Sequence, residues 1–131
     1  MRFSDIRERF RRVREGQTSV EEGVVIRWIA PTEGEMRIYA QRGGNASSFG
    51  RELVAEAITG WSGPKVMHIY PDDQTIAEEP LEFSPDAAQA LLDVQVSWMD
   101  RLTLDIMAAY QRRLEQVEGE RKKPESASTG N

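Results

Sequence analysis

From Val96 to Val117 the chain carries more apolar surface than a single helical contact uses. Trp98, Leu102, Asp105, Ile106, Ala109, Tyr110, Arg113, Leu114 and Val117 follow one another at three- and four-residue steps, mostly apolar, and Met99, Leu104 and Met107 fall beside them. The period is that of a helix, and its length makes it the longest element of the fold. A second helix precedes it from Ser84 to Leu92. The Ser84 hydroxyl is placed to accept orphan backbone N–H groups, and Pro85 at the first helical position loses nothing by lacking its own. Leu81 and Phe83 stand where apolar residues pin the start of such a helix.

Earlier in the chain, Phe49, Leu53, Ala57 and Ile58 predict a helix from Phe49 to Ile58. Gly60 is expected to close it in a left-handed conformation, with Trp61 folded back on its end. Val24 to Ile29 is the clearest strand, with Val24, Ile26 and Trp28 on one face. The next segment has two readings. Pro31-Thr32-Glu33-Gly34 makes a hairpin turn and Glu35 to Ala40 a second strand, or Thr32 and Glu35 form a capping box that opens a short helix. The hairpin is favoured, because a lone strand leaves its backbone groups unpaired. Arg42 to Asn45 breaks the chain. At the front, Ser4 to Arg14 reads as an amphipathic helix with Phe3, Ile6, Phe10 and Val13 on one side and arginines around the rest. Such a helix lies on the core or on a neighbouring subunit. Gly16 to Ser19 is expected to be a flexible connector. Pro64 to Glu79 is an edge strand or a loop tucked over the core.

These elements give an α+β, mainly helical fold: a small β-hairpin packed on a bundle of three to four helices with a long C-terminal helix. Residues 1–118 form one domain, with the N-terminal helix within 1–15, and 119–131 form a disordered tail, charged and then rich in Ser, Thr and Gly.

The arginine-led helix ending in Ile58-Thr59-Gly60-Trp61-Ser62-Gly63, the acidic loop, and Pro80-Leu81-Glu82-Phe83-Ser84-Pro85-Asp86-Ala87 before a last helical segment are similar to the tail assembly chaperones of long-tailed bacteriophages. The likeness covers about the middle and C-terminal two-thirds of the chain. Pro64 to Glu79 looks longer than that family's usual connection, which leaves open a related tail protein with a different task. The resemblance implies a helper in the host cytoplasm, absent from the finished particle. It would coat the tape-measure protein, keep its apolar stripe from aggregating and bring tail-tube subunits to it. It also favours the helical reading of residues 33–41.

Charge divides the chain. Six arginines face Asp5 and Glu8 within residues 1–14, whereas residues 65–105 set Lys65 and Arg101 against nine acids. The net charge of −5 argues against general nucleic-acid binding. The two halves suit solvated faces, or attraction between subunits of a homo-oligomer. No cysteine is present, so neither disulfide nor thiolate chemistry enters. No apolar run approaches the roughly 18 residues of a membrane span, and no secretory apolar segment follows the first arginines.

No catalytic constellation emerges, and the expectation is an interaction protein with no cofactor and no metal. His68 is the only histidine, and reads as a loop histidine with a local hydrogen bond rather than a general base. Asp72-Asp73 and Glu78-Glu79 lack the spaced ligands of a calcium loop. Gly43-Gly44 lacks the Lys-Ser/Thr of a phosphate loop. Trp28 and Trp61 read as core. The partner-binding surface is expected on the C-terminal helix at Trp98, Met99, Leu102, Ile106 and Tyr110, where methionines and aromatics suit a groove for a client helix. Core packing is the competing role for those residues. A structural tail or neck component retained in the virion is the alternative function, with the same face as a permanent interface. A small regulatory binder using the acidic loop is the third.

Overall fold

The strand expected at Val24–Ile29 lies in the middle of a three-stranded antiparallel sheet of order β1-β2-β3. The computed structural model describes the backbone of residues 1–42 and 46–129, and the side chains of these apart from 46–49 and 122–129. In chain order the elements are α1 (Phe3–Arg14), β1 (Glu15–Glu21), β2 (Val24–Ile29), α2 (Glu33–Arg42), α3 (Ala46–Ala57), β3 (Ile58–Ser62), α4 (Pro85–Val94) and α5 (Val96–Thr129). The fold is α+β and mainly helical, with a long C-terminal helix.

Both neighbours of β2 differ from the expected one. Residues 15–21, read as a connector and its sequel, form β1 and pair with β2 from Glu15↔Ile29 to Glu21↔Val24. Gly23, at φ 79°, takes the left-handed step of the two-residue turn between them. On the other side β3 pairs Ile26 with Trp61 and Val25 with Ser62. Gly60 is therefore a strand residue rather than a left-handed helix cap; among the described residues the positive-φ glycines are Gly23 and Gly63. Its lack of a side chain leaves room for the Arg27 guanidinium, which donates to the Trp61 carbonyl at 3.4 Å.

With its backbone partners supplied from both sides, β2 does not need a strand at 35–40. That segment is α2, and Thr32 and Glu35 form the reciprocal cap: Thr32 N–H donates to the Glu35 carboxylate at 2.9 Å, and Glu35 N–H donates to the Thr32 hydroxyl at 3.1 Å. The favoured hairpin over 31–40 is thus replaced by its helical alternative. Met36 and Tyr39, three residues apart, turn toward the core. The break at Gly43 to Asn45 lies outside the described residues.

One face of the sheet packs on α5, α4 and α3. Val24, Ile26 and Trp28 point into that layer, against Leu53, Val54, Leu91, Leu92, Leu102 and Ile106. A buried relay fixes α5 to the sheet: the Trp28 indole N–H donates to Thr18 Oγ1 at 3.0 Å, and that hydroxyl donates to Asp105 at 2.7 Å. Directly across the ladder, Gly16 faces Trp28, and a Cβ on Gly16 would run into the indole ring. Ser84 caps α4 as expected, accepting from Ala87 N–H at 3.0 Å, with Pro85 in the first turn.

Residues 64–81 leave the sheet and return to it. A single 3-10 turn, Val66–His68, opens the excursion, and Lys65 bridges Pro80 at its base. Leu81 N–H reaches the Pro64 carbonyl at 2.9 Å and Val66 N–H the Glu79 carbonyl at 2.9 Å. The segment is a loop drawn closed at its neck rather than an edge strand. At the far end, α5 continues to Thr129, so 119–129 is helical where a disordered tail is expected. Its first residues, Glu118 to Lys123, are mostly strong helix formers, and Glu118 pairs with Arg121 at 3.4 Å.

Candidate partner-binding site

The apolar side chains expected to meet a client are in the core. Leu102 and Ile106 are fully buried, and Trp98 and Tyr110 are 4% and 8% exposed. Met99 is partly buried against the same cluster. These five residues hold α5 to the sheet and to α3 and α4, so the surface expected there is corrected: one chain covers it alone. The reason is β1. Its inward Thr18 and Val20 widen the sheet, and α5 lies across it. Trp61 and Trp28 are core, as expected. Phe83 meets Trp61 edge-on at 5.0 Å, and the Trp61 indole donates to the Leu81 carbonyl at 2.8 Å.

The free apolar stripe is on α1. Phe3, Ile6, Phe10 and Val13 are 73%, 49%, 37% and 61% exposed, and α1 has no buried residue. At 3.6 residues per turn they fall within about 80° of one another. Arg7, Arg11 and Arg14 line one flank of that stripe and Arg9 lies on the other. Phe10 is its best-held member. The Arg14 guanidinium lies 4.6 Å from its ring centre and that of Arg113, on α5, 5.6 Å away.

Two clefts border α1. One, of about 350 Å³, opens between α1, the end of the sheet and α5, and includes Val13, Trp28, Ala109 and Arg113. The other, of about 520 Å³, lies between α1, α2 and α3. Its floor includes Ile29, Pro31 and Leu53, and Arg7 and Arg11 stand at its rim. Arg14 anchors the helix here, donating to the Ala30 carbonyl at 3.1 Å and pairing with Glu35 at 3.5 Å. Tyr39 donates its phenol to Glu56 in this cleft; burial first, and then that bond, push its pKa well above the usual tyrosine value. The stripe and the arginines along it can receive an amphipathic helix with apolar side chains along one face and carboxylates beside them.

The other candidates keep structural roles. His68 is 8% exposed, its Nδ1 accepts from Lys65 N–H at 2.8 Å, and its ring lies 4.9 Å from that of Trp98. Its Nε2 is 3.3 Å from the Glu21 carboxylate, which ties the loop to the β1–β2 turn. In the loop, hydrogen bonds from Thr75 hold the Asp73 carboxyl below its ordinary range, and the Lys65 ammonium does the same for Glu78. Among the described residues, no group of three or more His, Cys, Asp and Glu side chains is placed to hold a metal ion. No described helix is long and apolar enough to cross a membrane. Gly43-Gly44 lies outside the described residues.

No protein-family model, curated protein or solved structure matches the chain.

The stripe on α1 was legible as an amphipathic pattern. Its exposure was not, because periodicity states which side chains share a face and not what covers that face.

Proposed function

We propose that the protein is a tail assembly chaperone of long-tailed bacteriophages. It holds the amphipathic tape-measure protein on α1, works in the host cytoplasm, helps recruit tail-tube subunits and performs no chemistry of its own. The observation that supports this reading is the exposed strip Phe3-Ile6-Phe10-Val13, edged by Arg7, Arg11 and Arg14 on one flank and Arg9 on the other. Its apolar area is on the order of 400 Å², the size of the largest apolar patch on a typical monomer, and such a patch is often a functional one. At roughly 25 cal/mol per Å², covering it gives on the order of 10 kcal/mol before the cost of association is subtracted. The net leaves a moderate affinity per copy, so a client bound by many copies is held by avidity and can later be released. The resemblance through Gly60-Trp61 and Phe83-Ser84-Pro85 supplies the client's identity.

Co-expression with the tape-measure protein tests this. The wild-type chain should keep the client soluble and co-purify with it, and should be missing from purified virions. Phe3→Ser with Ile6→Asp, the pair that does not touch the contacts of Phe10, should abolish solubilisation while the circular dichroism spectrum stays that of the wild type. Unchanged client solubility with that pair would remove the assignment. Recovery of the protein from finished particles would favour the structural tail component instead.

A further inference from the structure

A second exposed apolar patch, with acids near it, lies where the loop meets the last two helices. The turn at Val66–His68 and the junction between α4 and α5 are tied together: Gln95 donates its side-chain amide to the His68 carbonyl at 2.9 Å, and His68 rests on Trp98. Tyr70, two residues from His68, and Val94 and Val96, on either side of Gln95, therefore share one corner. They are 49%, 50% and 56% exposed. Asp72, two residues beyond Tyr70, and Asp100, one helical turn beyond Val96, are exposed and without a cationic partner among the described residues, and Asp93 pairs with Arg51. On α1, Arg11, Arg12 and Arg14 have carboxylate partners within the chain. Arg2, Arg7 and Arg9 have none among the described residues, and Arg7 and Arg9 are on opposite flanks of the stripe. An apolar strip edged by free cations and an apolar corner with free anions near it thus lie on different parts of one molecule.

We propose that a second copy of this chain covers α1, seating the Phe3-Ile6-Phe10-Val13 stripe on its Tyr70-Val94-Val96 corner, with Arg7 and Arg9 opposite Asp100 and Asp72. The contact joins two different patches, so it is head-to-tail and propagates into a ring or a short filament. Charge complementarity selects this occupant: the N-terminal segment is strongly cationic, the segment holding the corner is strongly anionic, and like faces repel. Where α1 also receives the client, as read above, self-association masks the client stripe until the client displaces the neighbouring copy. That consequence rests on the client reading, and the self-contact does not.

Sedimentation velocity on the full chain tests the contact. The wild type should associate with rising concentration, and its apparent Kd should rise about tenfold between low salt and about 0.5 M salt. Asp72→Lys with Asp100→Lys should weaken association at least about tenfold, as should Arg7→Glu with Arg9→Glu. Mixing the two variants should restore association, because each keeps one face and the reversed faces match. All four positions are exposed, and thermal melts report whether each variant folds as the wild type does. A wild-type chain monomeric at about 1 mM would overturn the proposal. So would two variants that associate as well as the wild type, or a stripe that binds phosphatidylglycerol vesicles and never a second copy. Client solubilisation by the Asp72→Lys, Asp100→Lys variant separates the two readings: it should be kept or strengthened if the client site is right, whatever becomes of self-association.

Discussion

The first and last helices both carry a stripe of aromatic and branched side chains, and they end in opposite situations. On α5, Trp98, Leu102 and Ile106 meet the sheet and two other helices and are sealed. On α1, Phe3, Ile6 and Val13 face open space. Local pattern is similar in the two; the difference is what the topology puts opposite each. β1 follows α1 without a linker, so the helix leaves the sheet at its edge and reaches the body of the protein mainly through Arg14 and Phe10. α5 follows α4 after a single residue, Gln95, and is laid back across the sheet. An amphipathic helix is thus core or interface according to its connection, not its composition.

The contrast can be broken most forcefully by truncating each stripe. Leu102→Ala and Ile106→Ala should each cost about 2–5 kcal/mol in chemical denaturation, because each leaves a cavity in a filled core. Ile6→Ala, on the open stripe, should change stability by about 0.5 kcal/mol or less and weaken partner binding instead. Equal destabilisation at positions 6 and 106 would mean that α1 is packed after all. A smaller loss is expected where α5 is fixed to the sheet. Thr18→Val removes the acceptor for the Trp28 indole and the donor to Asp105, and should cost about 1–3 kcal/mol. Gly16→Ala puts a methyl group into the Trp28 ring and should cost a similar amount, about 1–3 kcal/mol, with a changed tryptophan emission. Ser84→Ala should cost about 1 kcal/mol through the lost cap of α4.

The smallest effect is a pH dependence beside α1. Tyr39 has its pKa raised by burial and by its bond to Glu56, and that of Tyr110, on α5, is raised by burial. The unfolded phenol ionises near pH 10, so the stability held by each group is complete below about pH 10 and is lost as pH rises toward its folded value. Alkaline melts should therefore fall above about pH 10. Tyr39→Phe should flatten that fall more than Tyr110→Phe, because only Tyr39 also gives up a bond to a carboxylate. An equal response would place the two tyrosines in equivalent surroundings.

Most helices were legible in the sequence, and most of the sheet was not. The start of α4 at Ser84-Pro85, the period of α5 and the alternation of Val24, Ile26 and Trp28 each carry their own local signal. Glu-Gly-Gln-Thr-Ser-Val-Glu does not. β1 has one solvated face, and its inward residues are Gly16, Thr18 and Val20, so no apolar alternation marks it. Its strand character comes from the ladder with β2, a tertiary cause. β3 was concealed by Gly60, whose most common local role is to end a helix; here the Arg27 side chain occupies the space above it. The capping pair Thr32 and Glu35 does signal α2, but the need to pair β2 argues for a strand there, and only the ladders with β1 and β3 remove that need. For the candidate site, the periodicity shows a stripe from Trp98 to Tyr110 and another from Phe3 to Val13, but not that the sheet covers the first and leaves the second exposed.

The excursion between Pro64 and Leu81 is sewn shut where it departs, by the two backbone bonds that make the antiparallel bridge of Lys65 to Pro80. Whatever is spliced into its tip around Asp72 to Gln74 is therefore insulated from the sheet by that seam. A fluorophore or affinity peptide inserted there would report on the protein without prying open its body. The same graft would stand beside the acidic corner, where a bulky insert becomes a steric probe of whether a neighbour docks.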